Sequence, residues 1–110
     1  MTDTLHTASA IATHAAKLVG GDRAKQHGDK MDTFENIARL WDGYLAIKFG
    51  PVARLSATDV GHLLVLLKLA RTQNGELNLD DYVDMAGYAA CAGEIAHIEA
   101  EERALAFAAR

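Results

Sequence analysis

Apolar residues recur at steps of three and four along most of the chain, and no stretch alternates with the period of two that a half-buried strand requires. The pattern predicts an all-α fold. Leu5, Ala8, Ile11, Ala12, Ala15 and Leu18 share one face of a first helix over about residues 4–19, which Gly20 and Gly21 end. Residues 22–30 are polar, carry Gly28 and have no apolar period, so they read as a loop or a frayed helical turn, a segment of the kind that often carries function.

Asp32 with Glu35 three residues on has capping-box spacing and announces a second helix, whose stripe is Phe34, Ile37, Ala38, Trp41, Leu45 and Ile47. Gly50 and Pro51 stop it. Ser56 with Asp59 caps a third helix to about residue 72, and Val60, Leu63, Leu64, Leu66, Leu67 and Ala70 make it apolar nearly all round. Such a helix should be central. After the turn signal Gln73-Asn74-Gly75, Asn78 with Asp81 caps a fourth helix that meets no proline before residue 110. Roughly thirty residues make it ~45 Å long, against ~30 Å for a four-helix domain of this size, so the part from Ile95 onward must project, bend or pack on another chain.

Composition narrows the class. At 110 residues, half of them hydrophobic and 24% charged, the chain is expected to form one domain, 1–110, with one core. Its longest apolar runs fall well short of the ~20 residues that cross a bilayer, and Asp3, His6 and His14 sit where a signal peptide would be basic and then apolar. A cytoplasmic protein with no membrane partner is expected. The single cysteine, Cys91, excludes an internal disulfide and a thiolate zinc site, and reads as a small buried residue.

Charge is uneven: residues 1–30 and 31–72 each carry one net positive charge, whereas 73–110 carry six negative ones, giving −4 in all. An acidic final third fits duplex nucleic acid poorly, because that binding depends on Lys and Arg at phosphate.

Three groups carry candidate chemistry. Asp80 and Asp84 lie one turn apart on the fourth helix, with Asp81 three residues before Asp84. The first turn favours acids through the helix dipole, which covers Asp80 and Asp81 but not Asp84. Asp84 lies between Val83 and Met85 on a face continued by Gly87, Tyr88 and Cys91, and is therefore a candidate ligand for a hard cation. Lys68 and Arg71 share a face of the third helix and either hold phosphate or pair with the acids of helix four. His62 is expected to be a satisfied core group. The loop offers Arg23, Lys25 and His27 beside Gly28. No Walker loop, GxGxxG or nucleophile elbow occurs, so any chemistry should be metal-assisted attack by water.

Four segments carry a resemblance: Arg23 to Asp29 (RAKQHGD); Phe34 to Trp41 (FENIARLW) with Tyr44-Leu45; Asp59-Val60 followed by Leu67 to Arg71 (LKLAR); and Asp80 to Tyr88 (DDYVDMAGY). Over about residues 18–96 they resemble a small phage-encoded domain family of unestablished function, itself similar at a distance to the MazG-like all-α nucleoside triphosphate pyrophosphohydrolases. Residues 97–110 stand outside as a helical extension.

The resemblance implies a four-helix, MazG-like bundle that binds a nucleotide or nucleotide-derived molecule, with magnesium bridging the phosphates while water attacks. It would place Asp59, Asp80 and Asp84 on the cation, Lys68 and Arg71 on phosphate with Tyr88 on the contact face, and Arg23, Lys25 and His27 over the ligand. The acidic signature is incomplete: Glu35 has no second acid before Asp42, and Asp81 with Asp84 supplies only the later spacing. Two alternatives therefore stand beside a magnesium-dependent pyrophosphohydrolase: a binder that sequesters a nucleotide without cleaving it, and a structural or adaptor bundle in which Lys68 and Arg71 pair with Asp80 and Asp84. A homo-oligomer, with a dimer through the fourth helix favoured, is the expected assembly.

Overall fold

The structure is a computed structural model and describes residues 6–21 and 29–110. Among these, four helices and no strands are present: α1 (Ala8–Gly20), α2 (Lys30–Phe49), α3 (Ala57–Arg71) and α4 (Leu79–Ala108). Each begins on a residue whose side chain accepts a backbone N–H from the first turn, which removes one of the unsatisfied donors there. Thr7 serves α1, Asp29 serves α2, Ser56 serves α3 and Asn78 serves α4.

The box expected of Ser56 and Asp59 forms in both directions: Asp59 N donates to Ser56 Oγ at 3.1 Å, and Ser56 N donates to Asp59 Oδ2 at 2.8 Å. The box expected of Asp32 and Glu35 does not form. Asp29 caps α2 instead, accepting from Met31 N at 3.0 Å, so Asp32 already lies in the first turn. A cap placed earlier in the chain extends the helix, so residues 30–32 join α2.

The centre is shared by α3, as its composition suggests, and α4. Both α1 and α3 pack along α4, and α2 packs on α3. The closest approach is at Gly61, where an added Cβ would stand 2.7 Å from the Ala92 Cβ, so α3 and α4 touch through a glycine and an alanine. Phe34, Ala38, Ala57, Val60 and Ile95 form the core, with Trp41, Leu55 and Leu64 packed against it. Leu63, Leu66, Leu67 and Leu69 on the outer side of α3 remain exposed.

The chain is extended for its length. Its radius of gyration is 16.4 Å, whereas ~13 Å is usual for a compact domain of this size. The long dimension, 55 Å, accommodates the ~45 Å of α4. Ile95 is fully buried, and every residue from Ala100 onward is exposed, so the projection begins a turn later than expected. No helix of the described residues is long and apolar enough to cross a membrane.

Candidate functional site

Two cations of α3 face two acids of α4. Lys68 Nζ is 2.8 Å from Asp84 Oδ2, and Arg71 Nε is 3.6 Å from Asp81 Oδ1. Both couples are three apart, and the antiparallel helices bring them into register. The partner of Arg71 is therefore Asp81, not Asp80. Asp81 is buried and needs that neighbour, while Asp80 is exposed in the first turn.

Where α1 and α2 diverge over α4, a cavity of about 570 Å³ opens. Leu18 and Val19 from α1, Phe34 and Ile37 from α2, and Leu64 and Val83 supply its apolar wall. Asp84, Tyr88 and Cys91 reach it from successive turns of α4, and Lys30 and Thr33 from the first turn of α2. Gly87 makes the passage between α1 and α4, since a Cβ there would meet Val19 Cγ2 at 3.4 Å. Volume and lining are those of a small-molecule site, apolar with a few convergent polar groups.

Lys30 stands at the rim and donates to Glu94 Oε1 at 3.0 Å. That hydrogen bond raises the Lys30 pKa above its ordinary value against the opposing effect of burial, so the ammonium is fully charged at neutral pH. The pair is half open to water, a setting in which ion pairs contribute little and exchange partners readily. The Cys91 thiol is raised by burial, with the nearby Lys30 pulling the other way. It is protonated at neutral pH and a weak nucleophile.

The three acids expected on a cation are not assembled. Asp59 is committed to the α3 cap, nine residues along that helix from Lys68 and hence ~13 Å from the Asp84 couple. Among the described residues no group of three His, Cys, Asp or Glu could hold a metal ion. Asp42, the later acid of α2, accepts from Leu55 N at 3.0 Å and ties down the turn between α2 and α3. His62 is exposed rather than a core group.

Of the expected phosphate ligands, Lys68 and Arg71 face carboxylates, and Tyr88 lines the cavity as its face implied. Arg23, Lys25 and His27 lie outside the described residues. Lys30 is the cation that sequence reasoning missed. Its only signal was its place at the end of the polar loop, and its role depends on α2 crossing α4.

Comparison with known proteins places the chain. Residues 10–96 match the model of a domain of unknown function, DUF6378. The Gene 55 protein of Mycobacterium phage D29 is 36% identical over 85 residues, 77% of this chain and 52% of the relative. That of Mycobacterium phage L5 is 38% identical over 80 residues, 72% of this chain and 47% of the relative. The chain thus spans about half the length of these curated relatives. No solved structure matches it.

Proposed function

The chain belongs to the DUF6378 family, which includes phage proteins, and on that premise we propose that it binds a nucleotide or nucleotide-derived anion without cleaving it. The observation that supports this reading is the cavity, which is large enough for a nucleoside-sized group and is flanked by a cation in an exchangeable pair. Phe34 and Ile37 offer the base an apolar wall, and the Tyr88 ring offers a surface for stacking. Asp84, neutralised by Lys68, accepts from an amino or hydroxyl group of the ligand. Lys30 turns from Glu94 to the phosphate at the rim.

Binding without hydrolysis is favoured over the MazG-like reaction because the acids that would carry magnesium are dispersed: Asp59 in a cap, Asp80 on the surface and Asp84 in an ion pair. A structural bundle is the second reading, and the observation that favours it is that Lys68 and Arg71 both find carboxylates within the chain.

Thermal-shift measurements with a nucleotide panel, with and without magnesium, combined with an assay for released pyrophosphate, test the reading. Stabilisation by at least one nucleotide with no pyrophosphate formed is the expected result. No stabilisation across the panel would favour the structural bundle, and pyrophosphate release would restore the hydrolase.

A further inference from the structure

Thr33, Ile37, Leu40, Tyr44 and Ile47 follow one another on α2 at steps of four, three, four and three, the spacing of a seam that packs against another helix. The first two line the cavity. The last three have no cover: Leu40, Tyr44 and Ile47 are 73%, 63% and 89% exposed. On α3, Leu63 and Leu67, one turn apart, are also exposed.

Gly43 is an independent observation on the same face. It lies in the middle of α2, is exposed, and an added Cβ would meet nothing within 4 Å. A glycine inside a helix is destabilising relative to alanine, and the isolated chain offers no reason to accept that penalty. A second helix approaching closely at Gly43 supplies one. Gly93 on α4 is equally open, but Ala89, Ala90, Glu94 and His97 around it present no large apolar surface.

We propose that a second copy of this chain docks along the outer stripe of α2, with Tyr44 of each copy set over Gly43 of the partner subunit. The seam spacing calls for a helical partner, and antiparallel pairing about Gly43 and Tyr44 brings Leu40 opposite Ile47 of the partner subunit, so the face is self-complementary as a twofold dimer requires. Leu40, Tyr44 and Ile47, 63% to 89% exposed, present roughly 400 Å² of apolar area, about half of the ~800 Å² that each partner contributes to a stable interface. The end of α4 offers fewer large apolar groups: Leu105 and Phe107, each 72% exposed, stand among Glu101, Glu102, Arg103 and Arg110.

Sedimentation equilibrium of the full chain tests the proposal, with circular dichroism to verify folding. The parent is expected at twice 11.8 kDa in the micromolar range. Gly43→Arg, whose Cβ would meet nothing within 4 Å in its own chain, and Ile47→Glu are each expected at the monomer mass with helix content kept, while Leu105→Glu stays dimeric. A monomeric parent at ~100 µM, a dimer that survives Ile47→Glu, or a dimer lost in Leu105→Glu alone would overturn it; should Gly43→Arg fail to fold, Ile47→Glu decides.

Discussion

Lys68 Nζ lies 2.8 Å from Asp84 Oδ2 with both side chains about 13–14% exposed, and this contact joins the two longest-packed helices of the chain to the wall of its cavity. A pair so placed has given up most of its water, and each charge depends on the other. Asp84→Asn should therefore destabilise the chain by about 2–3 kcal/mol, because it leaves the ammonium with a neutral partner. Urea unfolding measures the loss. Combining it with Lys68→Met should recover part of the stability; full additivity of the two changes would mean that the pair does not couple.

The α3–α4 approach makes a second demand. Gly61→Ala would bring its Cβ to 2.7 Å from the Ala92 Cβ, and both neighbours are backbone-anchored, so the helices must separate. A cost of ~1–3 kcal/mol is expected, despite the gain in helix propensity that alanine brings. Thermal unfolding decides between them. A raised midpoint would show that α3 and α4 are not held this closely.

Cys91 reports on the cavity through its titration. Burial raises its pKa above the usual thiol value of 9.0, so alkylation of the folded chain should be slow at neutral pH and should accelerate with a midpoint above 9.0. The sign for stability follows from the same shift. A group whose folded pKa is raised contributes fully below its unfolded value and loses that contribution as pH rises through the folded one. Lys30, also raised, acts in the same direction at higher pH. Stability should thus fall as pH climbs past 9, and Cys91→Ser should flatten the first part of that fall. A labelling midpoint at or below the value for the unfolded chain would place Cys91 outside the half-buried cavity wall.

Local chemistry was legible in the sequence where it was decided locally. Ser56 and Asp59 form their box because both partners lie within one turn. Asp32 and Glu35 have the same spacing, yet Asp29 caps first, and spacing alone does not rank competing caps. The leucines of α3 suggested a central helix, and α3 does pack on both α2 and α4, but it shares that place with α4, which also carries α1. The shared faces of Lys68 with Arg71 and of Asp81 with Asp84 could be read from steps of three. Which acid meets which cation could not, because the register is set by the distant contact of Gly61 with Ala92. Lys30 was overlooked for the same reason: its neighbour Glu94 is 64 residues away.

The central claim is that the cavity takes a nucleotide-like anion whose charge Lys30 meets at the rim. Calorimetric titration of the parent and of Lys30→Ala with the nucleotide that stabilises the parent most tests it directly. Loss of one charge-assisted contact, ~1.5–3 kcal/mol, predicts binding weakened roughly ten- to a hundredfold while the unfolding midpoint barely moves, since the Lys30–Glu94 pair is half open to water. Equal affinity in the two proteins would contradict the claim.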